Sequence, residues 1–428
     1  MMTEVKNGVL YIDGVSVPEI AKQFGTPCYI MSEDTVRKNC RKYMDAAEKY
    51  YGKNALPLYA SKAFSCVDIY KTVASEGFGA DVVSGGELYT ALKAGFDPKK
   101  IYFHGNAKTA DEIKFALESG VGRIVADNIE ELDRIDGIAK ELNVKADISF
   151  RIKPGVEAHT HNFVKTGQID SKFGFALENG EAFRAVKSAA EKKNINIAGV
   201  HCHIGSQIFD IAPFVLAAKI MLGFIAKVKN ELSLEIKELN LGGGFGIRYV
   251  EGDNPEPYED YMQKIADTVK SESEALGITV PFILVEPGRS IVAEAGITAY
   301  TVMSVKTIEN IRTYVAIDGG MTDNPRYALY GSKYEACVAN KAGDPCDFTA
   351  TIAGRCCESG DLIGENMKIQ KPEAGDILTV FSTGAYNYSM ASNYNRVPRP
   401  PVIMIKNGEP KIIVKRETYE DIIKNDTI

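Results

Sequence analysis

Short apolar runs recur along the first two-thirds of the chain, at 56–60, 79–84, 101–104, 123–126, 146–152, 197–203, 238–241 and 282–285. They lack the alternation of a half-exposed strand, as expected for parallel strands buried on both faces. Between them the apolar positions switch to a helical spacing. Leu88, Ala91 and Leu92 form one stripe. Ile113, Ala116 and Leu117 form a second, and Ile129, Leu132, Ile135, Ile138 and Leu142 a third. Gly95, Gly120 and Asn143 close these stripes where helix C-termini are expected. Eight strand–helix units predict an α/β fold, a (β/α)8 TIM-type barrel over residues 33–294; a doubly wound open sheet is the competing architecture.

Past residue 295 the helical spacing stops. Runs at 297–305, 313–317, 347–352, 377–381 and 402–405 alternate with Gly, Pro, Asn and Asp, which predicts a mostly β domain over 295–428. The run at 9–12 reads as a strand that joins it, so residues 1–32 are assigned to the same domain.

The chain has 428 residues, 50 Lys and Arg against 57 Asp and Glu, and a formal net charge of −7. That balance argues against a nucleic-acid partner, which would require a basic face, and leaves a local anion pocket open. The longest apolar stretch, 208–228, is interrupted by Asp210, Lys219 and Lys227, and reads as a helix on a core instead of a membrane span. The N-terminus has no basic region followed by an apolar run. Eight cysteines without a C-x-x-C pair suggest a cytoplasmic chain with reduced thiols.

In a βα barrel the chemistry sits at the C-terminal ends of the strands. Read there, the sequence places Lys62 after the first run, His104 after the third, Arg151 on the fifth, His203 and Ser206 after the sixth, Gly242–Gly244 after the seventh and Glu286-Pro287-Gly288-Arg289 after the eighth. Lys62 follows the apolar LPLYAS, a depth that would favour a neutral amine suited to Schiff-base chemistry; a snorkelling lysine is the competing reading. GGGFG does not match G-x-G-x-x-G, so a dinucleotide is not expected. It reads either as a plain tight turn or as bare backbone against a phosphate, with Ser206 and the Gly288-Arg289 turn completing a cup. Glu286, ringed by neutral or basic groups, needs a cationic partner such as a pyridinium. His203 could stack on a flat ring. His201-Cys202-His203 suggests a metal run, but the reading assigns the two histidines to opposite strand faces, and no metal is expected.

In the β domain, MTDNPRYALY places Arg326 and Tyr330 four apart around a turn. CCESGD sets Cys357 beside Glu358, and GAYNYSM puts Tyr386 after a strand.

YASKAF, HCHIGSQ, LNLGGGFG, EPGRSIV, MTDNPRYALY, CCESGD and GAYNYSMAS stand in the order seen in the PLP-dependent group IV decarboxylases, and from about Gly25 to Pro400 the chain resembles that family. The resemblance implies an alanine-racemase-like barrel with a β domain and pyridoxal 5′-phosphate as cofactor. It implies Lys62 as the lysine that holds the cofactor, Glu286 as partner of the pyridine nitrogen and His203 as the stacking ring. Ser206, Gly243, Gly244 and the turn Glu286, Pro287, Gly288, Arg289 match the phosphate cradle, closed by Tyr386. Arg289, Arg326, Tyr330, Glu358 and Tyr386 match substrate positions, and Cys357 the thiol that protonates the reacting carbon. Lys62, Cys357, His203 and Glu286 form the implied catalytic set. Cys357 and Glu358 serve the neighbouring subunit's site in this family, which implies a homodimer.

Ornithine and lysine decarboxylases of this fold typically carry aspartate after the cysteine; here it is Glu358. With two arginines able to grip a carboxylate, this points to meso-2,6-diaminopimelate as substrate and L-lysine as product. An ornithine- or arginine-type decarboxylase of the same fold and a non-catalytic cofactor-binding homologue are the alternatives. Two departures stand out. Tyr327 replaces a common second proline, and an insert at 156–173 carries His159 and His161 and reads as a strand-five loop that covers the site.

Overall fold

The computed structural model describes residues 3–156 and 170–427. His159, His161 and most of their loop lie outside the described residues. Contacts divide the chain into two compact units, one of residues 39–247 and 254–290, the other of 1–38, 248–253 and 291–428.

The first unit holds a ring of eight parallel strands, with the short strand Phe175–Ala176 paired outside it on the fifth: β1 (Ala55–Ala60), β2 (Gly79–Val82), β3 (Ile101–Phe103), β4 (Arg123–Ala126), β5 (Ala146–Lys153), β6 (Ile195–His201), β7 (Glu238–Asn240) and β8 (Phe282–Val285). They pair in chain order, and β8 pairs with β1, so the sheet closes. The closed barrel decides against an open sheet. Short strand-to-helix turns carry side-chain caps. Ser84, Thr109 and Asn128 accept from the amides of Glu87, Glu112 and Glu131, satisfying donors that each new helix would leave unpaired. Gly95, Gly120 and Asn143 follow these helices in the left-handed region, as their positions in the sequence predict. The long apolar stretch is the helix Ala212–Leu232, and among the described residues no helix is long and apolar enough to cross a membrane.

Five strand ends differ from the sequence reading. β6 spans 195–201 instead of 197–203, β2 stops at Val82, β3 at Phe103 and β7 at Asn240, and β5 runs on to Lys153. His203 and His104 are therefore loop residues one step or more past their strands, where the backbone is free to turn the rings into the mouth.

The second unit is built on the 13-residue strand Gly296–Ile308. It pairs antiparallel with Arg312–Ile317, Ile377–Val380 and Cys28–Ser32. Val402–Lys406 extends the sheet parallel to Cys28–Ser32. The strand from the N-terminal region that enters this sheet is thus Cys28–Ser32. Val9–Ile12 forms its own small sheet with Thr3–Lys6 and Val15–Ser16, and reaches the β core through Leu10 and Ile12 packed beside Ile30, Ile297 and Ile403. Three strands had no clear sequence pattern: Ala336–Val338, Leu362–Ile369 and Glu409–Val414. LIGENMKI interrupts its apolar positions with Gly, Glu and Asn; Glu365, Asn366 and Lys368 are exposed, and Gly364 is buried.

Candidate active site

The barrel mouth centres on Glu286, buried just past β8. Asn240 Nδ2 donates to its Oε1 at 2.7 Å, His201 Nε2 to its Oε2 at 3.1 Å, and His104 Nε2 lies 2.9 Å from Oε1. Asn240 and His201 are the last residues of β7 and β6, and His104 follows β3, so strand convergence alone brings these groups to one carboxylate. Burial pushes the Glu286 carboxyl up, but the two histidines outweigh it and hold it well below the usual range. Burial pulls His201 down to about 4, so it is a neutral ring donating through Nε2, with Nδ1 buried and without a hydrogen-bond partner. Asp81 on β2 adds a second buried carboxylate, 3.8 Å from His104 Nε2; its pKa is raised, first by burial. The expectation of only neutral or basic neighbours around Glu286 is corrected by Asp81.

The metal argument also needs correcting. Residues two apart on a strand share a face, so alternation does not separate His201 from His203. What separates them is the end of β6: His201 bonds Glu286, while His203, past the strand, accepts from Gly243 N through Nδ1 at 3.3 Å. His104, His201 and Glu286 do bring ligand-type atoms within 4.8 Å of one another, with both Nε2 atoms turned on the carboxylate.

His203 is half-buried beside the glycine run, its pKa well below the usual value through burial first and the Lys62 and Arg151 charges next. Lys62 lies in the turn Ser61–Ala63 directly after β1 and is exposed. It is therefore not at the depth that the preceding apolar run suggests. Arg151 on β5 lies 4.1 Å from the centre of the Phe173 ring, within the S-K-F-G segment.

The glycine run has no room for side chains. A Cβ on Gly243 would stand 2.1 Å from the Glu286 carbonyl, and one on Gly244 would meet the Gly205 carbonyl at 2.4 Å at a φ of +119°. A Cβ on Gly288 would meet Ala60 Cβ and its carbonyl at 2.9 Å, and Pro287 O accepts from Ala60 N. Arg289, buried, donates from Nη2 to Ser206 Oγ at 2.8 Å, which joins the two polar arms proposed for a phosphate. The donor set fits pyridoxal 5′-phosphate: an amine on a strand-end turn, an ionised buried carboxylate for a ring N–H, an imidazole beside bare backbone, and Ser, Gly and Arg for a phosphate.

In the second unit, Arg326 and Tyr330 begin and end a one-turn helix. Arg326 is buried, with its guanidinium carbon 5.4 Å from the Tyr386 ring centre, 5.7 Å from Tyr330 and 6.0 Å from Tyr249. Nη2 donates to Ser332 Oγ at 3.3 Å, and Nε is buried without a hydrogen-bond partner. Tyr386 holds a φ of +63°, a strained value for a tyrosine and one that clusters at functional sites. Cys357 and Glu358 are exposed. Asp361 ties their loop to the segment leading to Arg326, accepting from Cys356 N at 2.6 Å and Met321 N at 2.5 Å. Tyr327, at the departure from the common motif, donates to Glu365 at 2.6 Å.

His201, Asn240, Asp81 and Tyr249 are absent from the residues singled out as functional by sequence. The first two sit at strand ends and answer to the same rule that found Lys62 and Glu286. Tyr249 carries no such signal.

Residues 34–293 match the family described as pyridoxal-dependent decarboxylase, pyridoxal binding domain. The diaminopimelate decarboxylase of Bacillus subtilis (strain 168) is 49% identical over 421 residues, covering 98% of this chain and 96% of the relative. That of Staphylococcus aureus (strain COL) is 47% identical over 423 residues, covering 99% and 98%. A crystal structure of diaminopimelate decarboxylase from M. jannaschii in co-complex with L-lysine is similar at a TM-score of 0.92 and 38% identity, covering 100% of this chain and 98% of that one.

Proposed function

This chain belongs to the pyridoxal-dependent decarboxylases, and from that membership we propose that it converts meso-2,6-diaminopimelate to L-lysine and CO2, the last step of lysine biosynthesis. The observation that carries the choice of substrate is Arg326, a buried guanidinium whose Nε lacks a partner and whose electrostatic neighbours are tyrosines. Diaminopimelate keeps a carboxylate far from the reacting carbon, and ornithine has only an amine there. A buried arginine answers the first and repels the second.

The cofactor pyridoxal 5′-phosphate, when bound, supplies the electron sink for the pair released as the C–CO2 bond breaks. Lys62 would hold it through the amine, with His203 against its ring. Ser206, Gly243, Gly244 and the Glu286–Arg289 turn would hold its phosphate, together with Tyr386. Glu286 keeps a proton on the ring nitrogen because its own proton is gone: the neutral His201 and Asn240 side chains donate to an anion. Arg289, Arg326, Tyr330 and Tyr386 would orient the non-reacting head. Glu358 takes the ammonium of that head, and Cys357 delivers the proton that replaces CO2.

Cys357 and Glu358 are exposed on their own chain, as residues offered to a second copy would be, which supports a homodimer with shared sites. All eight cysteines are free, in keeping with a cytoplasmic enzyme. Mixing Lys62→Ala with Cys357→Ala subunits tests the sharing: activity returns on mixing if each site draws on both chains, and stays absent if each chain is self-sufficient.

The direct test is to add meso-diaminopimelate to cofactor-loaded protein and follow CO2 and L-lysine, with L-ornithine and L-arginine in parallel. Lysine from diaminopimelate alone is expected. CO2 only from ornithine or arginine would overturn the roles of Arg326 and Glu358 and leave the family intact.

A further inference from the structure

The geometry points to Tyr249 as a specificity-determining positioning residue: with Tyr330 and Tyr386 it forms a three-ring cage that presets the Arg326 guanidinium as a receptor for the carboxylate of the substrate's non-reacting end. This inference rests on the reading of Arg326 given above.

Four observations carry it. The first is the placement of three ring centres at 5.4, 5.7 and 6.0 Å from one guanidinium carbon, at or inside the limit at which ring faces attract a cation. The second is what the cage does not contain. Arg326 Nη2 donates to Ser332 Oγ at 3.3 Å, its Nε is buried and unpartnered, and the groups acting on its charge are Tyr249, Tyr334, which is also a side-chain hydrogen-bond partner, and Tyr386. A buried cation without an anion is costly, and ring faces lower that cost without using up the N–H donors. The donors stay available for a planar anion, and a carboxylate can take two of them at once.

The third is how Tyr249 comes to be there. Residues 248–253 group with the β-rich unit although the chain on either side belongs to the barrel. Within this excursion Asp253 accepts from the amides of both Tyr249 and Val250, at 3.0 and 3.2 Å, which fixes the backbone that presents the ring. The fourth is the support behind it. Tyr249 meets Tyr334 edge-to-face, with centres 5.6 Å apart and planes at 87°, and both pack on the β core. The ring is thus held from behind and by its backbone, as a residue that must aim a neighbour would be.

The competing account is that Tyr249 only fills space in the β core. The two accounts diverge in which ligand suffers when the ring is lost. L-Lysine carries the carboxylate in question and cadaverine is the same chain without it. Inhibition constants for both are measured on the cofactor-loaded Tyr249→Leu and Tyr249→Phe enzymes, with kcat and KM for meso-diaminopimelate. Loss of the ring is expected to weaken L-lysine about 3- to 30-fold, with cadaverine unchanged. KM should rise in step while kcat moves less. The phenylalanine variant should restore lysine binding, because the attraction comes from the ring face and not from the hydroxyl. Should the leucine variant fail to accumulate, Tyr249→Met reads the same ratio. Equal weakening of both ligands, no change in either, or a phenylalanine variant as impaired as leucine would each overturn the role. Arg326→Met run in parallel separates the two layers. If it leaves the lysine-to-cadaverine ratio untouched, the reading of Arg326 falls and Tyr249 with it. If it collapses the ratio and Tyr249→Leu does not, Tyr249 alone is overturned.

Discussion

Glu286 in the barrel and Arg326 in the β-rich unit are both buried charges, and the two units keep them charged by different means. Around Glu286 the device is hydrogen bonding: Asn240 and His201 donate, and His104 Nε2 stands 2.9 Å away. Around Arg326 it is ring faces, from Tyr249, Tyr330 and Tyr386. Each solution follows from its scaffold. Parallel strands converge at one mouth, so their last residues aim polar groups at a common point. Arg326 instead sits on a one-turn helix met by loop residues, where flat rings can enclose a flat cation from several sides. The difference also teaches what each charge is for. Glu286 has its ionisation secured by these donors and keeps acceptor capacity for a ring N–H. Arg326 has a donor in reserve.

The comparison breaks most completely at Glu286→Gln. The glutamine keeps the shape and removes the anion, and turnover should fall by about 100- to 1,000-fold or more. Steady-state decarboxylation of diaminopimelate reads it, and a variant with near-normal turnover would end the assignment of Glu286 to the ring nitrogen.

His201→Leu should cost less, about tenfold or somewhat more in turnover, the worth of one hydrogen bond to a charged group. It should also alter the acid response. His201 titrates at about 4 in the fold because of burial, against 6.5 unfolded, and Glu286 is held well below 4.5. In both cases the unfolded chain binds protons first as pH falls. Their stabilising contribution is therefore complete above about pH 6.5 and declines from there towards 4 and below. Hydrogen exchange along β6 and β8 should show protection weakening over that range in the native chain, and less steeply in the leucine variant.

The β-rich unit should respond with the opposite sign. Burial lifts Asp323 to about 7, where it accepts from Tyr300 Oη at 2.6 Å and from Gly320 N at 3.0 Å. A carboxyl that keeps its proton in the fold and loses it at 3.8 when unfolded favours folding at low pH, and this contribution drains away as pH rises from 3.8 to 7. The thermal midpoint of Asp323→Asn relative to the native chain should accordingly climb between pH 5 and 8. A constant gap would show that Asp323 does not titrate in this window.

The smallest effect is expected at Tyr327→Phe. This loses a bond to Glu365, itself paired with Arg312 at 2.7 Å on an open edge. Stability should change by less than about 1 kcal/mol, and the lysine-to-cadaverine ratio not at all. A shift in that ratio would extend the specificity network outward from the cage.

Much of the barrel was legible from patterning. Eight apolar runs become eight strands, and Lys62, Ser206, Gly243, Gly244, Glu286 and Arg289 all lie at or just past strand ends. The misreadings have local causes. Cys202 N still bonds Asn240 O and the run carries His on both sides of it, so its pattern does not mark where β6 ends at His201. Lys62 follows buried residues but sits on a turn, and a preceding apolar run says nothing about the direction in which the chain leaves. Val9–Ile12 has strand composition, and its choice of the small N-terminal sheet over the large one depends on which edges are open.

By itself the sequence determined the periods, the punctuation and the inventory: apolar runs of strand length, glycines where a Cβ cannot fit, and an amine, a carboxylate and two arginines of the right chemistry. These are local properties, set by sterics and by side-chain type. Only the tertiary structure decided that His201 and Asn240 share one carboxylate, that Asp81 stands behind His104, and that Tyr249 leaves the barrel's run of chain to face Arg326. Such pairings join residues 46 and 85 positions apart at Glu286 and 77 positions apart at Arg326. They arise from the closure of a sheet and the packing of a core, and no local rule along the chain contains them.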